Sequence, residues 1–390
     1  MTWTTFGPNT PRFVRPNNWL LTEGQRTNAV RNPRGEGLVP GTPGTVPADW
    51  GAYSAPAGVT RSIVGVGTES GIDYVDVSYS GTAATGFTLD MNPLGDAFQP
   101  AASAGQTWTV STFARLLSGT MPDALQVRIQ GRNAANQNTA DTSGAFVAVT
   151  NAPLASQRYT RTLTLTDPTT DRVTIVRRVF VAAGVTVDFT IRYGWPQLEL
   201  GPFASTPILP PPGAPGVATR GPDILPAPLS ALGIGENGAC TVLWAGRFGG
   251  IVPTDSQTIV ALDNGIPGSF AGSNRIDIRI GNTGVPQVIR VTAGIVGITG
   301  IGTTPITPGA IIRAGMTIDG AGRVAAVFVG FNGGNPAVLT GAPTGGLDTF
   351  RVGSSVASER PMSAETALLR VIAGGVPDAA LQSLVASLPV

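Results

Sequence analysis

Hydrophobic and polar residues alternate with a period of two along most of this chain. In residues 72–81, IDYVDVSYSG, one face carries Val75, Val77 and Tyr79. A period of two is the side-chain period of a β-strand, so this segment is predicted to be a strand. Similar segments follow, separated by turn residues at the spacing of a β-sandwich: TWTVSTFARLLSG (107–119), ALQVRIQGRN (124–133), YTRTLTLTD (159–167), RVTIVRRVFVAAG (172–184) and VTVDFTIRYGWPQLELG (185–201).

A second set of strand-like segments begins at about residue 224. Its clearest members are ACTVLWAGRF (239–248), SQTIVALDNG (256–265), NRIDIRIGN (274–282), PQVIRVTAG (286–294) and RVAAVFVGFNGG (323–334). Asn-Gly pairs at 264–265 and 332–333 have the residue types that hairpin turns require, because both tolerate positive φ. The pattern therefore predicts an all-β fold of two antiparallel β-sandwich (jelly-roll) domains, residues 26–206 and 224–390.

Prolines separate and precede the two predicted domains. Residues 207–223, PILPPPGAPGVATRGPD, lack ladder N–H groups at the prolines and favour polyproline II, so we predict a semi-rigid linker. The alternative is that this segment is a covered surface loop of one continuous domain. For residues 1–25 we predict an extended N-terminal anchoring arm, ordered only against a partner, with a disordered terminus as the alternative. Four aromatic residues are assigned to that anchoring role: Trp3, Phe6, Phe13 and Trp19.

A helical pattern is found near the end of the chain, in VPDAALQSLVASL (376–388). Pro377 and Asp378 suit a first helical turn. Leucine and valine residues then repeat at helical spacing on one face: Leu381, Leu384, Val385 and Leu388. We predict a short C-terminal helix whose apolar stripe caps the second sandwich.

Composition removes several classes of function. The 52 Gly and 33 Pro residues disfavour helices and supply turns, in agreement with an all-β fold. The sequence contains no His and no Lys, which excludes a Ser-His-Asp triad, a His-rich metal site, a Walker A loop and a lysine Schiff base. A net charge of +1 provides no basic face for nucleic acid. We expect a protein that is not an enzyme and uses no cofactor.

The cysteine count and the termini constrain the compartment. Cys240 is the only cysteine, so no intrachain disulfide can form. Residues 1–15 lack the basic and apolar regions of a signal peptide, and no uncharged apolar run reaches the length of a membrane span. We expect synthesis in a cytoplasm without export by the common route and without membrane insertion.

Several phrases, taken in order, resemble virion proteins of bacteriophages. The opening NAVRNPRGEGLVPGTPGTVPADW (28–50) and the closing YGWPQLELGPFASTPI (193–208) resemble phrases of carbohydrate-binding jelly rolls, and ATRGPD (218–223) resembles the sequence that follows these in phage proteins. GLDTFRVGSS (346–355), followed by PDAALQSLVA (377–386), resembles the end of concanavalin A-like, laminin-G-like lectin domains. NTPRFVRPNNWLLTEGQRTN (9–28) resembles the leader of phage tail and spike proteins, although Thr22 stands where Ile is usual.

The resemblance implies a fibre, spike or other appendage of a phage-like particle. Its implied partners are other virion proteins and a host-surface polysaccharide, and such proteins are commonly trimeric. A mean hydropathy of +0.17 with few charges also favours a homo-oligomer. Two alternatives remain open: a purely architectural decoration, collar or spike-base protein, and a glycan hydrolase. Glycosidases on concanavalin A-like folds carry their carboxylates as Glu-x-Asp-x-Glu on one strand. The sequence has no such run, which argues against the hydrolase alternative.

Aromatic and planar polar side chains are the groups that sugars require, and they define the candidate glycan-binding residues. These are Trp50, Tyr53, Asn133, Gln137, Asn138, Phe270, Asn274 and Arg275. Trp108 and Trp244 lie in alternating strands and are predicted to be core residues. Asp255, Asp263 and Asn264 form a weak Ca²⁺ candidate, for which simple turn capping is the favoured interpretation. For Glu199 we predict a buried structural ion pair with an arginine.

Overall fold

The computed structural model consists almost entirely of antiparallel β-sheets with one short C-terminal helix, which confirms the predicted fold class. It describes residues 12–14, 19–51, 53–142, 146–223, 225–236, 238–250, 255–266, 272–331, 334–341, 345–356 and 360–389. The described part of the chain contains no helix with the length and hydropathy of a membrane span.

The strands are short to medium in length and are numbered along the chain. The first fifteen are β1 (Arg12–Val14), β2 (Trp19–Thr22), β3 (Arg26–Asn28), β4 (Tyr53–Ser54), β5 (Val59–Glu69), β6 (Ile72–Thr82), β7 (Phe87–Met91), β8 (Thr107–Thr120), β9 (Leu125–Arg132), β10 (Asn138–Asp141), β11 (Phe146–Val147), β12 (Arg158–Thr164), β13 (Arg172–Val181), β14 (Thr186–Leu200) and β15 (Ala218–Arg220). The others are β16 (Leu225–Pro228), β17 (Cys240–Phe248), β18 (Gln257–Asp263), β19 (Arg275–Ile280), β20 (Pro286–Thr292), β21 (Ile295–Gly300), β22 (Ile311–Ile318), β23 (Val324–Phe328), β24 (Ala337–Leu339), β25 (Thr349–Val352) and β26 (Ala364–Ala373). The helix α1 spans Asp378–Ala386, and 3-10 turns occur at Asp96–Phe98, Leu154–Ser156 and Leu229–Leu232.

The first compact unit contains residues 26–220 and is a sandwich of two sheets. One sheet has the order β12-β8-β14-β6-β5. The other has the order β10-β9-β13-β7-β4, with β11 also paired to β9. Alternation within the strands buries one face of each sheet, and the resulting core includes Trp108, as predicted from the sequence.

The second compact unit combines residues 221–390 with residues 6–25. Its described strands form a seven-stranded sheet, β1-β2-β26-β17-β22-β23-β24, and a six-stranded sheet, β16-β25-β18-β19-β20-β21. Trp244 is fully buried in their core, and its indole N–H donates to Thr366 Oγ1 at 2.9 Å, which confirms the predicted core position.

The C-terminal helix α1 packs on β17, β22 and β23, as the sequence predicts. Its apolar stripe forms a separate small core with strand residues that include Leu243 and Val327. Leu381, Val385 and Leu388 are buried there, and Leu384 is partly buried against them. Burial of each leucine contributes roughly 2 kcal/mol of hydrophobic stabilisation.

The N-terminal arm differs from its prediction. β1 and β2 form an antiparallel hairpin, and β2 extends the seven-stranded sheet by pairing with β26, with Leu20 opposite Thr366. The prolines that led to the prediction of an extended arm fall outside the two strands. The Arg247 guanidinium lies over the Trp19 ring, with its Cζ 5.3 Å from the ring centroid. Trp19 therefore contacts a residue of its own domain. Phe13 lies in β1, and Trp3 and Phe6 lie outside the described residues.

A charged cluster closes the second unit where the chain leaves it and returns to it. Arg12 donates from Nη1 to Glu23 Oε2 at 2.7 Å and from Nη2 to Asp223 Oδ2. The Glu23 N–H also donates to Asp223 Oδ2 at 2.7 Å, and the Asp223 N–H donates to the Glu23 carbonyl at 2.9 Å. All three side chains are mostly buried. We call these three residues the Arg12 clasp.

The proline-rich segment also differs from its prediction, because residues 207–220 belong to the first unit instead of forming a free linker. The Ile208 N–H donates to Gln197 Oε1 at 2.8 Å, and the Pro210 carbonyl accepts from Arg34 Nε at 3.1 Å. β15 then pairs with β3. A proline lacks the N–H group but keeps its carbonyl, so this segment can still dock through its acceptors.

The Arg12 clasp predicts a large effect of one isosteric substitution. We expect Asp223→Asn to lower the free energy of unfolding of the second domain by about 1–3 kcal/mol, since it weakens a largely buried ion pair. Denaturant unfolding followed by fluorescence measures this loss. Glu365→Gln is the control, because its partner Arg247 is about half exposed and such pairs contribute less than about 1 kcal/mol. Equal losses for the two variants would contradict a special role of the clasp.

Candidate functional site

An open groove lies in the first domain, on the outer face of the sheet with the order β10-β9-β13-β7-β4. Its volume is about 400 Å³. It is lined by Ala48, Trp50, Gly51, Ser54, Asp90, Asn92, Gly95, Asp96, Ala97, Phe98, Gln130, Arg132, Val176 and Arg178. The volume is within the range of small-ligand sites, and the lining combines two aromatic rings with many polar groups.

Strand alternation supplies the floor of the groove. In β13, Ile175 and Val179 are buried in the core, whereas Val176 and Arg178 line the groove. The strands β7 and β9 flank β13 and present Asp90 and Gln130 to the same face. Every second residue of the three adjacent strands points away from the core, and the floor they form is largely polar, with Val176 as its apolar member.

Hydrogen bonds hold the floor side chains in place. Arg178 lies directly opposite Asp90 and donates to both of its carboxylate oxygens, from Nε at 2.6 Å and from Nη2 at 2.9 Å. Arg132 Nη2 donates to Gln130 Oε1 at 2.7 Å, and Gln130 Nε2 donates to Asp141 Oδ2 at 3.2 Å. The hydrogen bonds with Asp90 and electrostatic attraction to nearby carboxylates raise the pKa of Arg178, although its partial burial opposes this. The guanidinium therefore stays charged.

Two aromatic residues line one side of the groove. Trp50, a predicted binding residue, lines it but is only 6% exposed, and its indole N–H donates to the Asn32 carbonyl at 2.9 Å. Phe98 is partly exposed, and the Arg31 guanidinium lies over its ring, 4.9 Å from the centroid. Of the two rings, Phe98 offers more surface to a ligand. The side chain of Tyr53 lies outside the described residues.

Of the three predicted polar-loop residues, Asn133 and Gln137 lie between β9 and β10, and Asn138 is the first residue of β10. Asn133 Oδ1 accepts from the Gln137 N–H at 2.9 Å, and Asn133 Nδ2 donates to Gln137 Oε1 at 3.2 Å. Asn138 Nδ2 donates to Asp141 Oδ2 at 3.2 Å. The bonds between Asn133 and Gln137 stabilise the turn between β9 and β10. None of the three residues lines the groove.

The two second-domain candidates in the described part of the chain, Asn274 and Arg275, have structural contacts. Arg275 is 1% exposed and donates to Asp277 Oδ2 at 2.6 Å, which corrects its assignment as a binding residue. Burial raises the pKa of Asp277, although the charges of Arg275 and Arg279 oppose the shift. Asn274 Nδ2 donates to the Gly345 carbonyl at 2.6 Å, so this side chain stabilises the backbone at Gly345. Phe270 lies outside the described residues.

The weak calcium candidate has the geometry of turn capping. Asp263 is fully buried, accepts from Arg351 Nε at 2.7 Å and caps the Gly265 N–H at 2.9 Å. Asp255 Oδ1 accepts from the Ser256 N–H at 2.7 Å, and Asn264 Oδ1 accepts from backbone N–H groups. Within the described ranges, no group of three or more acidic, cysteine or histidine residues is arranged to hold a metal ion.

Glu199 has the structural role predicted for it. Its side chain is fully buried, with Oε2 3.9 Å from Arg26 Nε and Oε1 accepting from the Ser205 N–H at 2.9 Å and from Gln197 Nε2 at 2.7 Å. Gln197 in turn holds the segment at Ile208. Gln197 and Glu199 therefore hold the end of β14 against the segment that follows it.

Asp90, Asp96, Phe98 and Arg178 line the groove but were not predicted from the sequence as binding residues. One signal was available in the Arg177-Arg178 pair of β13, because adjacent strand residues point to opposite faces. Arg177 is 1% exposed and lies in the core, 4.4 Å from the Tyr193 ring centroid. Its neighbour Arg178 must then lie on the outer face. The pairing of β13 with β7, which brings Asp90 opposite Arg178, could not be read from the sequence.

Comparison with known proteins gives only remote similarities. No protein-family model matches the chain, and no curated protein sequence matches it. Among solved structures, Ruminococcus gnavus IT-sialidase CBM40 bound to α2,6 sialyllactose is 14% identical, with a TM-score of 0.32 over 40% of this chain and 86% of that chain. The N-terminal CBM22-1-CBM22-2 tandem domain of Paenibacillus barcinonensis Xyn10C is 8% identical, with a TM-score of 0.24 over 87% of this chain and 99% of that chain. TM-scores this low assign no role to any residue of the groove.

The buried geometry of Glu199 predicts that it contributes to stability and not to binding. We expect Glu199→Gln to lower the free energy of unfolding of the first domain by about 1–3 kcal/mol, because it removes a buried charge from its partners. Thermal or denaturant unfolding measures the loss. Glu36→Gln serves as the matched control, since Glu36 accepts an exposed hydrogen bond from the Gly213 N–H. A Glu199→Gln protein of unchanged stability would contradict the structural role.

Proposed function

We propose that this protein binds glycans through the groove of its first domain, without catalysing a reaction, as an exposed component of a phage-like particle. The observation that supports binding most directly is the groove itself. It combines fixed hydrogen-bonding side chains with a partly exposed phenylalanine ring. A sugar ring presents hydroxyl groups at its edge and C–H groups on its face, so it needs both kinds of surface at once.

Preorganisation of the floor supports the same proposal. Asp90 and Arg178 hold each other in a bidentate pair, and Arg132, Gln130 and Asp141 form a continuous chain of hydrogen bonds. Groups already fixed in place lose little conformational entropy when a ligand arrives. The bidentate pair also occupies both Asp90 oxygens, which favours a positioning role for this carboxylate over attack on a glycosidic bond.

The location on a particle rests on the sequence resemblance. The leader at residues 9–28 and the order of a jelly roll followed by a lectin-like sandwich resemble phage tail and spike proteins. In this proposal the partners are other virion proteins and a host-surface polysaccharide, and the protein acts as a homo-oligomer. The proposed site lies within the first domain, whereas the second domain is available for contacts with neighbouring subunits.

Removing the Phe98 ring tests the binding proposal. We expect Phe98→Ala to weaken polysaccharide binding by at least about tenfold, equal to about 1.4 kcal/mol. The polysaccharide used is one that slows migration of the unaltered protein. Affinity gel electrophoresis over a panel of soluble polysaccharides identifies that ligand, and calorimetry measures the change. Asn151→Ala is the control because Asn151 is exposed and does not line the groove.

Three results would contradict parts of the proposal. If no polysaccharide slows the protein and the protein associates tightly with particles, the purely architectural function would be favoured. Equal affinities of Phe98→Ala and the unaltered protein would place binding elsewhere. Release of reducing sugar from a retained polysaccharide would show a hydrolase.

A further inference from the structure

We infer that the groove selects neutral, hydroxyl-rich glycans over acidic ones, an inference that rests on the proposed glycan-binding function. The first observation is the charge of the lining. Four ionisable side chains line the groove, Asp90, Asp96, Arg132 and Arg178. Two are acidic and two are basic, so the groove carries no net formal charge toward a ligand.

The second observation is how these charges are paired. Arg178 forms two hydrogen bonds with Asp90, so its charge is already balanced on the floor. Arg128, on the neighbouring strand, is engaged in the same way by Asp141. An anionic group that approached Arg178 or Arg128 would have to displace the carboxylate of that pair or lie beside it uncompensated. Either arrangement costs free energy in a partly buried site.

The third observation is the balance of hydrogen-bond types. Asp96 is exposed at the rim, where its carboxylate accepts from Gln99 Nε2 at 2.8 Å and keeps acceptor capacity for a ligand. Arg132 is the lining cation that has no carboxylate partner among the described residues, and it can only donate. A hydroxyl group both donates and accepts, so it can satisfy either residue. A carboxylate or sulfate group only accepts and would meet Asp96 with repulsion.

The experiment compares neutral and acidic polysaccharides with the full chain. The neutral probes are dextran, galactomannan and mixed-linkage β-glucan; the acidic probes are polygalacturonate, alginate and polysialic acid. Retention is measured by affinity gel electrophoresis at about 50 mM and about 500 mM NaCl, because salt screens charge-dependent binding. We expect retention by at least one neutral probe, with less than about a twofold change between the two salt concentrations.

A charge reversal at the rim gives an independent readout. Asp96→Arg raises the formal charge of the groove by two, so we expect weaker retention by neutral probes and new, salt-sensitive retention by polygalacturonate. Asn151→Ala should behave as the unaltered protein does. Circular dichroism and unfolding curves confirm that each variant is folded.

The outcomes separate this inference from the proposed function. Salt-sensitive binding of acidic probes alone, lost in Phe98→Ala, would overturn the preference for neutral glycans and leave glycan binding in the groove intact. Retention by neither class would overturn both. Neutral binding that Asp96→Arg leaves unchanged would overturn the role of charge balance in the groove.

Discussion

The Arg12 clasp joins two segments that the sequence keeps far apart, because Glu23 and Asp223 are separated by 200 residues. Arg12 belongs to the first strand, Glu23 marks the point where the chain leaves the second domain, and Asp223 marks the point where it returns. The entire first domain is inserted between the last two residues. Because both carboxylates share one guanidinium, the departing and returning segments of the second domain are held together, and both edges of the insertion are fixed.

Local pattern determined most of the fold and little of its connectivity. Alternation identified strands such as β13 and β14, and helical spacing identified α1, because each depends on neighbours in sequence. The pairing of β2 with β26 depends on residues more than 300 positions away, and the prolines that precede the first domain made residues 1–25 resemble an extended arm. The proline-rich segment was misassigned for a related reason, since Gln197 and Arg34 provide its docking contacts.

The residues that carry the family resemblance turn out to support structure. Asn28 Nδ2 donates to the Ile208 carbonyl at 3.0 Å, and its Oδ1 accepts from the Leu198 N–H at 3.1 Å, so the first phrase of the domain is bound to the last. Gln197 and Glu199 complete that fastening. Apart from Ala48 and Trp50, the groove is lined by residues outside those segments, among them Asp96 and Phe98. A resemblance of this kind therefore predicts the sandwich better than it predicts the ligand.

The inserted arrangement also sets an order for events on the ribosome. Domains generally fold as units while the chain emerges, and residues 26–220 contain every strand that the first domain needs. The hairpin of β1 and β2 is made before the first domain, yet its partner β26 is made only after that domain. Until then the hairpin keeps an unpaired edge on the nascent polypeptide, where a neighbouring chain could capture it. A hairpin translated before the inserted domain thus reaches its native place only after that domain and β26 have both been made.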